Sequence, residues 1–385
     1  MTSSRTSEPW SGCGSPVSAR FRACNVPPRQ GGNRVRISLE AIPVQEAVGS
    51  VLAHDLTRIV PGEDKGPIFK KGHVVRTADI STLLDIGKEH IYVYRPMPGI
   101  LHENDAARRI AVAVSGEHLR LTDPAEGRIN LHADCRGVFD VDVERLTAVN
   151  ALSDIALATL HTMQEVAPGQ PVAGTRIIPL LIEEERIRRV EQLCADGPIL
   201  QVHPLRPARV GIVTTGSEIY HHRIEDKFGP VLRDKFSRLG CSVLGQRFTS
   251  DDVPLTVQAI HAFRDEGADM IVCTGGMSVD PDDRTPASIR AAGTEVESYG
   301  APTFPGAMFL LARLAAAPGH PPRNIPVLGL PGCVMYYKAS IFDLIVPRLL
   351  ADIPVSATDI AALGHGGFCA ACSPCRYPLC PFGKG

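Results

Sequence analysis

The sequence predicts an α/β protein: a doubly wound, mostly parallel sheet over residues 208–352, preceded by a smaller α+β region. Three observations carry this. The apolar runs "RVGIVTT", "ADMIVCT" and "IPVLGLP" read as strands buried on both faces. Segments with helical spacing separate them, and that alternation implies a parallel sheet covered by helices. Before Ala208 the rhythm is irregular, and the Pro-bounded "PILQVHPLRP" makes a natural boundary.

Taken in order, "ISLEAIPVQEAVGSVLAHDLTRIV" reads as a strand followed by a short amphipathic helix. "TADISTLLDIGK" reads as a helix with Thr77 as N-cap and Gly87 at its end, and "HIYVY" as a strand. "ENDAARRIAVAV" fits a helix, "RINLHADCRGVFDVD" a hairpin, and "VERLTAVNALSDIALATLHTM" a helix of several turns. "PGQPVAGTRIIPLLI" reads as a turn and a buried strand, and "EEERIRRVEQLC" as a solvated helix. In the regular part, "DKFGPVLRDKFSRLG" reads as a helix ending at Gly240 and "CSVLGQRF" as a strand. "VPLTVQAIHAFRDEG" follows as a helix capped by "SDD", with Pro254 in its first turn. "TPASIRAAG" is a further helix, and "VMYYKASIFDLIVPRLL" a closing helix bent or ended by Pro347. The expected organisation is a disordered tail (1–36), an amino-terminal α/β segment (37–100), a mixed middle domain (101–207), the sheet domain (208–352) and a Cys-rich tail (353–385).

A chain of 385 residues with 44% hydrophobic and 21% charged residues is of ordinary globular composition. Its formal net charge of -2 argues against a nucleic-acid binder driven by bulk charge. No apolar run reaches the roughly 20 residues that span a bilayer, so no membrane role is expected. Met1–Arg36 has no apolar stretch of the kind a secretory leader needs. The 11 cysteines are an odd number, and without a leader they point to a reducing compartment, the cytoplasm, with thiols free or on metal.

Ligands of an open parallel sheet sit beyond the carboxyl ends of its strands. Three loops leave those ends here: "TTGSEIYHH", "CTGGMSVDPDDRTP" and "LPGCVMYY". Each offers glycine for close backbone approach and leads to a helix start, where free N–H groups favour an anion such as phosphate. None is a Walker A loop or a GxGxxG. Asp280, Asp282 and Asp283 crowd the second loop. Turn and cap chemistry explains some of them, Asp283 above all. Three neighbouring carboxylates also suit Mg²⁺, which binds one or two carboxylates together with ligand oxygens. Cys333 at a helix start is either a small packing residue or a soft thiolate ligand, with its pKa lowered by the helix. His221 and His222 lie within reach of the first loop.

"VGIVTTGSEI", "DMIVCTGGMSVDPDDRTP" and "VLGLPG", in this order, resemble the molybdopterin-binding domain of the molybdenum-cofactor biosynthesis enzymes, including the molybdopterin molybdenumtransferases. "AVGSVLAHDL" and "IFKKGHVVRTADISTLLDIGKEHIYV" are similar to the amino-terminal portion of the molybdenumtransferases. The resemblance implies a molybdopterin-type ligand, adenylated or metal-loaded. It implies a site lined by Thr215, Gly216, Ser217 and Glu218, with Gly275, Gly276 and Ser278 as its second wall. Pro331 and Gly332 would cradle an anionic group, and Asp280, Asp282 and Asp283 would serve Mg²⁺ and molybdate chemistry. The chain departs from the family where "PTFPGAM" lacks the lysines of the transferases and where Cys333-Val334 replaces Asn-Pro. The expected activity is Mg²⁺-dependent insertion of molybdate into adenylated molybdopterin with release of AMP. The alternative is a non-catalytic cofactor carrier or sensor. The partners expected are a molybdoenzyme client and a second copy of the chain in a homo-oligomer.

The chain closes with "HGGFCAACSPCRYPLCPFGKG", a Cys-x2-Cys-x2-Cys-x4-Cys array of Cys369, Cys372, Cys375 and Cys380. Four soft ligands so close together can hold one Zn²⁺ or an iron–sulfur cluster. An unstructured thiol-bearing tail or a partner-binding hook is the alternative.

Overall fold

The apolar runs after Ala208 become the strands of one sheet. In the computed structural model, which describes residues 40–58, 66–93, 98–318 and 324–385, six strands pair. They are β1 (Arg209–Thr215), β2 (Ser242–Thr249), β3 (Met270–Thr274), β4 (Glu295–Tyr299), β5 (Leu310–Ala315) and β6 (Asn324–Leu330). Their order across the sheet is β2-β1-β3-β6-β5-β4. The first four in that order run parallel, β5 alone runs the opposite way, and the edge strand β4, antiparallel to β5, shares the direction of the four.

Helices α1 (Phe228–Arg238) and α4 (Ile341–Leu350) cover one face, packing Leu232, Phe236, Phe342 and Ile345 against Val210, Val272 and Leu328. Helices α2 (Val253–Asp265) and α3 (Thr285–Ala291) cover the other, with Ile260, Phe263 and Ile289 against Val213, Ile271 and Val327. The fold class is the doubly wound α/β arrangement that two-sided burial dictates. The hairpin β4–β5 has no counterpart among the predicted elements. "EVESY" forms an edge strand without inside–outside alternation, so periodicity does not mark it.

Before Ala208, Glu40–Pro43 pairs antiparallel with His90–Val93 around Val44, Leu52, Leu83 and Ile91. Residues 100–204 build a four-stranded and a three-stranded antiparallel sheet against helices Glu103–Val114 and Glu184–Leu193. All described residues lie in one compact unit, Leu39–Gly385. The predicted tail over 1–36 falls outside the described residues. Among those described, no helix is long and apolar enough to cross a membrane.

Several local expectations are overturned. Only a 3-10 turn, Val44–Glu46, follows the first strand. Thr77 is not a cap: the helix is Asp79–Asp85, without a side-chain N-cap bond. Arg128–Ala133 and Gly137–Val141 are consecutive but join different sheets, so they form no hairpin. The long helix after Asp142 stops at Asn150, whose amide bonds both the N–H and the C=O of Leu157 at 2.8 Å. The chain turns there and continues as strand Ile155–Thr159.

The closing helix is two helices, Cys333–Tyr336 and α4. Ser340 and Asp343 form a capping box that starts α4 afresh. Pro347 neither ends nor starts α4 but lies inside it. A proline there has no N–H to give the carbonyl of Asp343, four residues back. The hydroxyl of Tyr377, from the Cys-rich tail, donates to that carbonyl instead at 2.9 Å. The tail is thus ordered against α4, and Phe382 is buried in the same core as α1 and α4.

Candidate functional site

Parallel pairing of β1, β3 and β6 places their carboxyl ends on one rim: Thr214 stands opposite Thr274, and Thr274 opposite Leu330. The three predicted loops therefore leave from the same edge. Thr215 is the hub. Its hydroxyl lies 2.8 Å from that of Thr285 and 3.4 Å from the Thr274 carbonyl oxygen. Gly275 holds a left-handed φ of 84°, and a Cβ there would collide with the Thr215 carbonyl oxygen. A Cβ on Gly276 would fall 2.9 Å from Thr285 Oγ1 and 3.1 Å from Thr215 Oγ1. The two glycines thus serve contact between the first and second loops. Met277 pins the second loop to β6, where a Cβ on Gly329 would lie 2.6 Å from its Cε.

Gly216 is buried and Glu218 exposed; a Cβ on Gly216 would sit 3.1 Å from Glu218 Oε1. Ser217 opens a four-residue helix, but its N–H is not free for an anion. Asp251, at the end of β2, accepts from Ser217 N at 3.0 Å and from Ser217 Oγ at 2.9 Å. At this one position the expected open N–H is already taken. Asp251 is also a rim residue that sequence reasoning missed, because "SDD" reads as an N-cap. Only Asp252 caps α2, accepting from Leu255 N at 2.9 Å. Asp226 was missed as well: it accepts from Phe228 N at 2.9 Å at the start of α1. Gln246 Nε2 joins Asp226 (2.6 Å) to the Thr214 hydroxyl (2.8 Å) under the rim.

Ser278, Asp280 and Asp282 are exposed and Asp283 is half-buried. Asp283 donates its backbone N–H to the Asp280 carbonyl oxygen at 2.9 Å, which closes a turn. It does not cap α3, whose N-cap residue is Arg284. Among the described residues, no three His, Cys, Asp or Glu side chains are placed to share one ion. The aspartates are therefore open to a divalent ion only together with oxygens from a ligand, the manner in which Mg²⁺ is commonly held.

In the third loop Pro331 is buried, Gly332 exposed and Cys333 half-buried. Burial pushes the Cys333 thiol up, outweighing the backbone N–H groups of Cys333 and Val334 that pull it down. The expected thiolate-favouring helix start is therefore overturned, which leaves Cys333 closer to a packing residue. His221 and His222 are exposed.

A fourth segment, within "PTFPGAM", also reaches the rim. β5 is antiparallel to β6, with Leu310 opposite Gly329, so the loop entering β5 arrives where the other loops leave. This loop contains Thr303, Phe304 and Gly306, and Pro305 in it accepts from Ile341 N at 3.3 Å. A cavity of about 610 Å³ lies elsewhere, at the amino ends of β1, β3 and β6, lined by Arg206, Met270, Pro326 and Leu350 among others. The rim is preferred as the candidate ligand site because the connecting loops converge beyond the carboxyl ends of the strands there.

Residues 211–351 match a family described as "Probable molybdopterin binding domain", and residues 41–95 match a domain of unknown function (DUF8806). A CinA-like protein of Mycobacterium sp. (strain MCS) is 36% identical over 91 residues, 23% of this chain and 21% of that protein. A CinA-like protein of Mycobacterium leprae (strain TN) is 40% identical over 79 residues, 20% of this chain and 18% of that protein. The chain spans about a fifth of the length of these curated relatives. Among solved structures, the tungsten cofactor synthesizing protein MoaB from Pyrococcus furiosus is similar at 20% identity and a TM-score of 0.31. The match covers 38% of this chain and 97% of that one.

Proposed function

We propose that this protein binds a molybdopterin-type ligand on the rim and acts in molybdenum-cofactor assembly, a reading supported by the match of residues 211–351 to a probable molybdopterin-binding domain. The observation that supports this reading best is the joining of the first two loops at Thr215, with the third leaving the neighbouring strand. Such a rim offers backbone and hydroxyl groups to a flat, anionic heterocycle from several directions.

As an enzyme, the protein would exchange AMP for molybdate on adenylated molybdopterin. Mg²⁺, when bound, supplies charge neutralisation at the phosphates. Asp280, Asp282 and Asp283 would hold it jointly with phosphate oxygens. Ser217, its hydroxyl proton held by Asp251, would accept a hydrogen bond from the ligand, and Glu218 would set the ligand's position from the exposed side. Catalysis would be positional and electrostatic: water would attack the pyrophosphate linkage and AMP would leave, while molybdenum takes the two dithiolene sulfurs and one molybdate oxygen departs as water with the two thiol protons.

The carrier reading is favoured by two observations. The loop "PTFPGAM" brings no cation to the rim, and the Ser217 N–H is already bonded to a carboxylate. Exposed Val279 (83%) and Tyr336 (78%) on the same edge would suit contact with a molybdoenzyme client or a second copy of the chain. Incubation of the full chain with adenylated molybdopterin, Mg²⁺ and molybdate separates the two. AMP release that disappears in Asp282→Ala supports the enzyme. Retention of the ligand without AMP release supports the carrier, and no retention at all removes both.

A further inference from the structure

We propose that Cys369, Cys372, Cys375 and Cys380 ligate one thiophilic metal centre, caged by the closed loop Gly366–Gly383. Residues after Leu363 form no helix or strand beyond a single bridge between Phe368 and Phe304. The loop is nevertheless closed at its neck: Gly383 N donates to the Gly366 carbonyl oxygen at 2.9 Å. The neck requires glycine for close approach. A Cβ on Gly366 would fall 2.6 Å from the Lys384 carbonyl oxygen, and one on Gly383 would run into Leu344.

Both ends of the cysteine array are anchored. Phe304 N donates to Gly367 O and Cys369 N to Phe304 O, each at 2.8 Å. At the other end Tyr377 bonds α4, Phe382 is buried, and Cys369 and Cys380 pack against the core. Between the anchors, Ala370–Arg376 is exposed throughout and carries Cys372 and Cys375. All four cysteines are free thiols.

Nothing apolar holds the exposed span, while four soft donors at spacings suited to one centre punctuate it. The four sulfurs are not gathered around one point in this structure. Binding would draw the two exposed thiols onto the anchored pair. Each ligating thiol gives up its proton, so binding releases protons and strengthens with rising pH. The clasp on Phe304 ties this loop to the segment entering β5, so a filled centre would also stiffen that side of the rim.

The test is metal content of the full chain purified anaerobically, with the Cys372→Ser/Cys375→Ser double variant and Cys135→Ser as control. About one zinc per chain without a visible band, or iron with sulfide and a broad band near roughly 400 nm, supports the proposal and identifies the centre. The double variant is expected to lose at least about tenfold in bound metal while its circular dichroism and melting of the sheet domain persist. Reduced metal-free protein should also develop thiolate-to-Co²⁺ absorption on titration with Co²⁺. Protein with neither metal and no Co²⁺ absorption, or a double variant that keeps its metal, would overturn it. Bound metal is read independently of molybdopterin, so this result and the reading of the rim stand or fall separately.

Discussion

Tyr377 donates its hydroxyl to the carbonyl oxygen of Asp343, the one backbone acceptor in α4 that Pro347 leaves without a helical donor. A proline inside a helix costs about 3 kcal/mol or more, partly through the lost bond. The tail offsets part of that cost and is fastened by it. Tyr377→Phe should therefore destabilise the protein by about 1–3 kcal/mol, the penalty of an unpaired buried acceptor. In a Pro347→Ala background a helical N–H is restored, and the same change should cost distinctly less. Urea titrations of the four proteins measure the coupling. Equal losses in both backgrounds would contradict the account.

The rim glycines make opposite predictions. Gly275→Ala places a Cβ against the Thr215 carbonyl at a left-handed φ. It should cost more than about 1 kcal/mol and weaken ligand retention, since the joint between two loops is forced apart. Gly332 has a φ of -55° and only Phe228 near its would-be Cβ, at 3.9 Å. Gly332→Ala should change stability by less than about 0.5 kcal/mol. Thermal melts of both variants check this.

Asp251 is expected to matter more than its surface position implies. Asp251→Ala leaves Ser217 N–H and Oγ–H without their shared acceptor. The first loop should loosen, with a loss of about 1–2 kcal/mol in stability and weaker molybdopterin retention, followed by equilibrium dialysis. Asp280→Ala and Asp282→Ala remove exposed carboxylates and should leave stability within about 0.5 kcal/mol. Unchanged Mg²⁺ dependence of ligand binding in the double variant would remove them from the site.

Away from the rim, Glu103 opens the helix Glu103–Val114 with 8% of its surface exposed. Burial raises its carboxyl to about 7, against the opposing pull of the Arg176 cation. Its folded pKa lies above the unfolded one, so its contribution is complete below about 4.5 and is lost as pH rises through about 7. Unfolding free energy should fall by roughly 1–3 kcal/mol across that window. Glu103→Gln, which keeps the neutral shape, should flatten the slope. Denaturation at pH 5 and 8 tests it; identical slopes in both proteins would refute the assignment.

The sheet was legible because β1, β3 and β6 are buried on both faces, so each reads as an unbroken apolar run. The rim followed from topology, since parallel strands send their loops to one edge. What could not be read was partnership. Nothing local shows that Asp251 turns to Ser217 across 34 positions of sequence while Asp252 caps its own helix. The same limit hid the separation of Arg128–Ala133 from Gly137–Val141, because alternation gives a strand's faces and not its neighbours. Likewise the glycines of the second loop looked like room for a ligand, and much of that room is taken by Thr215.

The reversal of direction at β5 has a design consequence. In a wholly parallel sheet, each additional loop on the business edge demands a complete crossover helix behind it. Here a simple hairpin delivers Thr303–Gly306 to that edge at the cost of a few residues. Thr303 is buried there and Phe304 is 59% exposed, so the Phe304 side chain is the point of this turn where recoding changes what the edge presents while the four covering helices keep their places.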